Sequence, residues 1–179
     1  MSVARRVLII AFAAGIVGLG VLPAEAGAMQ QIRGRFTAHF PKGGQQTNVY
    51  PCPPNVLCGV GSIRGLGAAE IDVFDGNFQP IAGTNCLSFD KEDDVSLLDT
   101  GSRLVLVGSG TVCFPGDSGD VPSNPSNRDY GHPSFWTSDL SVVGAQSTGV
   151  FSGAKGTVTE NFTVAGGVGL WQLVGSIAQ

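Results

Sequence analysis

From Gln31 to Phe40 the chain alternates. Ile32, Gly34, Phe36, Ala38 and Phe40 fall on one side and Arg33, Arg35, Thr37 and His39 on the other, the period of two that gives a strand one dry and one wet face. A loop rich in Gly, Pro and Gln follows. Strand character returns from Gly59 to Phe74, where Ile63, Gly65 and Gly67 precede Ala69, Ile71 and Val73, and glycines inside strands suggest tight bends or close backbone approach. Shorter pieces are expected at Cys86 to Phe89 and Val95 to Leu98, joined by an acidic turn over Asp90 to Asp94. Further strands are expected at Arg103 to Cys113, Phe135 to Val143, Thr148 to Phe151, Ala154 to Val164 and Leu170 to Ile177. Pro115 to Pro133, dense in Pro, Gly, Ser, Asp and Asn, reads as one long exposed loop, the kind of segment that carries function on a rigid scaffold. No window after the leader holds an apolar stripe at helical spacing over about a dozen residues without a Gly or Pro. Short strands with turn signals at regular intervals predict an all-β sandwich or barrel.

The first residues follow a different pattern. Arg5 and Arg6 precede an apolar run from Val7 to Leu22, and small residues follow in Ala24-Glu25-Ala26, the layout of a secretory signal peptide. The run is shorter than the roughly 20 residues a membrane-spanning helix needs. Residues 1–26 are therefore expected to be cleaved, after Ala26 or after Ala28, leaving a secreted protein with no membrane segment in its mature form. One domain, residues 27–179, accounts for the rest. Without Arg5, Arg6 and Glu25 it carries 8 basic and 13 acidic side chains, which makes nucleic acid and anionic membranes poor partners. Glycine contributes 27 residues but is interleaved with Val, Ile, Leu, Phe and Thr, a strand-and-turn composition rather than a disordered one.

All four cysteines, Cys52, Cys58, Cys86 and Cys113, lie beyond the leader, and in an oxidising compartment they are expected to form two disulfides. Of the three possible pairings, Cys52 with Cys58 and Cys86 with Cys113 is favoured, because Cys52 and Cys58 close a short loop stiffened by Pro51, Pro53 and Pro54 and ordering so short a loop costs little. Neither His39 nor His132 falls at zinc-ligand spacing from them.

Thr148-Gly149-Val150-Phe151-Ser152-Gly153-Ala154-Lys155-Gly156-Thr157 resembles the Gly-x-Phe-x-Gly-Ala-x-Gly signature of dirigent-like and allene-oxide-cyclase-like barrels and of secreted bacterial proteins similar to them. Gly101 to Thr111, and Cys58-Gly59-Val60-Gly61 followed by Gly65-Leu66-Gly67, also fit the bacterial group. The resemblance implies an eight-stranded antiparallel β-barrel, often trimeric, that acts without metal or cofactor. An interior of that size is filled by side chains or holds one small ligand. The motif itself is structural: Gly149, Gly153 and Gly156 suit a sharp corner while Phe151 and Ala154 pack inside. It carries over no catalytic residue.

Other constellations compete with that reading. Cys113 ahead of Gly116-Asp117-Ser118-Gly119-Asp120, with His39 and Asp72 or Asp75, imitates a serine-protease triad. Asp120 would set a negative charge beside the oxyanion, and the 79 positions from His39 to Ser118 are too few for two six-stranded barrels. The Asp90 to Asp94 run, or Asp117 with Asp120, offers oxygen ligands for calcium, but a solvated turn is the expected outcome. Tyr130, His132, Phe135, Trp136 and Trp171 could stack on a ring-bearing ligand at a barrel mouth, against an expectation that Trp136 and Trp171 are packing. Asn161-Phe162-Thr163 fits a glycan acceptor. The leading expectation is a protein that binds a small apolar ligand or serves a structural or interaction role. The alternative is a dirigent- or cyclase-like lyase or isomerase guiding ring closure, and the more distant one a serine hydrolase. Inward-facing Arg64, Glu70 or Asp72 would favour the enzyme, because buried charge is costly unless it is used.

Overall fold

A computed structural model describes residues 28–39, 56–114, 134–165 and 167–179. The expected signal peptide (residues 1–26), Cys52, Asp117, Ser118, Asp120, Tyr130 and His132 lie outside these residues. Eight strands, β1 (Gln30–His39), β2 (Leu57–Ile63), β3 (Gly67–Pro80), β4 (Cys86–Leu97), β5 (Arg103–Cys113), β6 (Ser134–Val142), β7 (Lys155–Ala165) and β8 (Val168–Ala178), pair antiparallel in chain order. β8 returns to β1, from Gln30 opposite Ile177 to His39 opposite Val168, and closes the barrel. Closure gives every strand a neighbour on both sides, although β3 beyond Val73 has no β2 partner among the described residues.

The period-two pattern decides what faces inward. On β1 the buried residues are Ile32, Gly34, Phe36 and Ala38, and on β8 they include Trp171, Leu173 and Ile177. Several inward positions are glycine because neighbouring side chains already occupy the space. A Cβ on Gly59 would lie 3.0 Å from the Trp171 ring, and one on Gly110 would lie 2.3 Å from Phe89 and 2.4 Å from the Ser138 hydroxyl.

Three expected elements differ. The Gly59 to Phe74 stretch is a hairpin, broken where Gly65 (φ 80°) and Gly67 (φ 109°) turn the chain and the Leu66 amide donates to the Ile63 carbonyl. Thr148 to Phe151 is not a strand but leads into a one-turn 3-10 helix, Gly149–Phe151, since Gly149 adopts φ 60°, which no strand permits. The acidic run Asp90 to Asp94 is not a turn but the middle of β4, with Leu87, Phe89, Lys91, Asp93, Val95 and Leu97 all on the buried side.

The two barrel ends differ in construction. At one, the connection from β6 to β7 runs beside the start of β5, and Thr148 exchanges bonds with Arg103. There Phe151 and Ala154 are fully buried, and the Ser102 hydroxyl accepts from the Val150 amide at 3.2 Å. At the other end Cys86 and Cys113 face each other in register and are joined, with Cα atoms 4.1 Å apart. Cys58 is also disulfide-bonded; Cys52, its expected partner, is outside the described residues. Among the described residues no helix is long and apolar enough to cross a membrane.

Candidate functional site

The inward positions of β3, β4 and β7 bring four charged groups into the barrel. Asp75 lies opposite Lys91 in the β3–β4 ladder, and Asp93 is two residues further along the same face of β4. Glu160 reaches in from β7. The Lys91 ammonium is 3.2 Å from Asp75, 3.2 Å from Asp93 and 3.0 Å from Glu160. Lys91, Asp93 and Glu160 are each 3% exposed or less, so the cluster is essentially dry. Small residues on the strands between make room: Phe89 pairs with Gly110 on β5, and Ser138 on β6 lies between Gly110 and Glu160, whereas Gly108, opposite Lys91, is required by the Asp139 carbonyl, which a Cβ there would meet at 2.1 Å.

Burial alone would strip Lys91 of its proton, but the carboxylates of Asp93, Glu160 and Asp75 outweigh burial and hold the ammonium above the ordinary lysine range. Asp93 moves in the direction of neutrality. Burial raises its carboxyl well above the usual range and Glu160 adds repulsion, against a smaller opposing pull from Lys91. The cluster thus combines a permanent cation with a carboxyl that keeps its proton where an exposed aspartate would lose it.

Above this cluster, toward the disulfide end, rings follow one another across the interior. Phe78 lies 5.4 Å from Phe89, Phe89 5.2 Å from Trp136, Trp136 6.0 Å from Phe162, and Phe162 stacks on Trp171 at 4.1 Å. Phe78 joins them because the β3–β4 register shifts between Gly76 and Gln79, where Asn77 takes φ 53° and its amide donates to Asp90 at 2.7 Å. Such a bulge re-aims a side chain. Five buried polar atoms in this interior make no hydrogen bond: the Ser138 hydroxyl, the Trp171 indole nitrogen, both Asp93 carboxyl oxygens and Glu160 Oε2.

The residues singled out from sequence are mostly elsewhere. Arg64 is exposed, and Glu70 and Asp72 alternate outward from Ala69, Ile71 and Val73. His39 is exposed at the end of β1, and Asp75 is engaged by Lys91. Within β4, Asp90, Glu92 and Asp94 point away from Lys91 and Asp93, so the acidic run does not converge on one ion. Among the described residues no three His, Cys, Asp or Glu side chains are arranged to hold a metal. Phe135 is exposed, whereas Trp136 and Trp171 are buried inside the barrel and not at its mouth. The missed residues, Lys91, Asp93 and Glu160, had a usable signal. Alternation continues from Leu87 and Phe89 through to Val95 and Leu97, and from Val158 to Phe162, which carries each charged residue inward.

Compared with known proteins, no family model matches the chain, and no curated protein or solved structure matches it.

Proposed function

We propose that this is a secreted barrel that binds a small, largely apolar, ring-bearing molecule in its interior, with the polar group of that molecule directed to the Lys91 cluster. The observation that carries the reading is a ladder of five aromatic rings running beside a dry ion cluster, with the Ser138 hydroxyl, the Trp171 indole nitrogen and carboxyl oxygens of Asp93 and Glu160 left without hydrogen bonds. An apolar wall with a few convergent polar groups is the usual make-up of a small-molecule site. A buried ion cluster adds little to stability compared with well-packed apolar residues, so its presence favours use.

A second reading rests on the protonation of Asp93. A carboxyl that retains its proton can act as a general acid, a neighbouring carboxylate such as Glu160 as a base, and the Lys91 ammonium can stabilise an oxyanion. Those parts suffice for a cofactor-free isomerase or lyase, the activity that the resemblance to dirigent-like and allene-oxide-cyclase-like barrels implies. The placement of Arg64, Glu70 and Asp72 gives it no support; Lys91, Asp93 and Glu160 do.

Native and denaturing mass spectra of the protein from its own host's medium test the first reading. Extra mass that is present only in the native spectrum is expected, and a bare protein in both would overturn it. Asp93→Asn separates the two readings. If the variant carries the same molecule as the parent, binding alone is at work. If it carries a compound isomeric or chemically precursor to the parent's, Asp93 takes part in conversion.

A further inference from the structure

The outer wall of the barrel is divided by charge. The outward positions of β7, β8, β1 and β2 carry no carboxylate among the described residues, whereas Arg33, Arg35, Arg64 and Lys155 all lie there and are exposed. The other half, β3 to β6, bears Glu70, Asp72, Asp90, Glu92, Asp94 and Asp139. In a mature chain with more acidic than basic side chains, a cationic half-barrel is not a by-product of composition. The three guanidinium groups make no ion pair within the described residues. Two lie on β1 about 7 Å apart by strand geometry. The third joins from the β2 turn, where Arg64 and Arg33 line an open depression with Gln31 and Gly65.

The rest of this half mixes hydrogen-bonding groups with two exposed valines, Val174 opposite Arg33 and Val168 opposite His39. Gln172 pairs with Arg35 across the β1–β8 ladder and Asn161 lies opposite Gln172 on β7. The Gln31 amide donates to Ser176 at 2.7 Å. The acidic half of a second copy offers few free carboxylates to this surface. Asp94 is already bound by Arg103, Asp90 by Asn77 and Asp139 by Thr159, and Asp72 is partly buried, which leaves Glu70 and Glu92 on these strands, both half-buried. A partner for unpaired, planar, bidentate donors set among amides and hydroxyls must supply regularly spaced anions together with many hydroxyl groups.

We infer that the outer face of β8, β1 and β2 binds a linear anionic polysaccharide, its carboxylates or sulfates on Arg33, Arg35 and Arg64 and its hydroxyls on the flanking amides. The chain would run along the strands. Because the contacts are exposed, their strength falls as salt shortens the Debye length from roughly 10 Å at 0.1 M toward 3 Å at 1 M.

Titration calorimetry with polygalacturonate and with heparin tests this on the full secreted protein, the two probes separating carboxylate from sulfate recognition. At low salt at least one probe should bind, and the double variant Arg33→Ser/Arg35→Ser should weaken that binding at least tenfold while Glu92→Gln leaves it within twofold. No binding of either probe, or equal binding by the double variant, would overturn the inference. So would equally tight binding of single-stranded DNA, which would reduce the face to a non-specific charge effect, or concentration-dependent self-association lost in the double variant, which would make the occupant a second copy. Retention of the parent's melting temperature by the double variant keeps the comparison clean.

Discussion

Lys91 determines whether three carboxyl groups can stay buried. Its proton is held more tightly in the folded chain than in the unfolded one. Its pairing therefore stabilises the fold fully below the ordinary lysine pKa, and that contribution is lost only as the pH rises into the strongly alkaline range. Asp93 is also raised, so the folded state keeps a proton that the unfolded chain releases above about pH 4. Its burial costs little in acid, and stability falls as the pH rises through its raised folded value. Lys91→Met removes the single cation and leaves Asp75, Asp93 and Glu160 facing one another. Loss of one partner from a buried ion pair costs about 3–5 kcal/mol, and we expect a loss of that size at pH 7 and a smaller one at pH 4, where the carboxyls can accept protons. Denaturant midpoints at the two pH values check this, and equal losses would show that the carboxyls are not what Lys91 neutralises.

At the scale of elements, β4 and β5 together set the interior. Their ladder places Phe89 against Gly110, and that glycine leaves no room for a methyl group between the Phe89 ring and the Ser138 hydroxyl. Gly110→Ala is expected to cost about 1–3 kcal/mol, the usual range for overpacking a filled core, and chemical denaturation measures it. A variant as stable as the parent would mean that Phe89 swings aside at little cost. The same two strands are tied at their far ends by Cys86–Cys113, 27 residues apart in sequence. Replacing both cysteines with alanine should lower stability by about 2–4 kcal/mol, with the closed strand order retained because every neighbouring pair remains hydrogen-bonded. Far-ultraviolet circular dichroism and a thermal melt read the two effects separately.

For the molecule as a whole, closure puts strands remote in sequence into one interior. Much of the wall was legible beforehand. Gln31 to His39 alternates so cleanly that its buried face follows from the residues, since a strand with one buried face permits only one register. The extent Arg103 to Cys113 was also expected, but there Leu104, Val105 and Leu106 are buried in succession, which alternation does not foretell. The Cys86–Cys113 disulfide belongs to the pairing favoured from the sequence, in which Cys52 and Cys58 close a short loop. Elsewhere the local signal was misleading for a physical reason. Asp90 to Asp94 has the composition of a wet turn, and only its neighbours Leu87, Phe89, Val95 and Leu97 reveal that Lys91 and Asp93 continue the inward series.

What the chain determined by itself is therefore the local alphabet: strands of period two, a corner where Gly149 and Gly153 take positive φ, and an even set of cysteines. The tertiary structure alone decided that Glu160 on β7 meets Lys91 on β4, that Trp171 on β8 ends a row of rings begun by Phe78 on β3, and that Arg33, Arg35 and Arg64 share a face without acids. Each of these depends on which strands become neighbours or face one another across the barrel. That arrangement is set by closure of the whole sheet, and a periodicity confined to one strand carries no information about it.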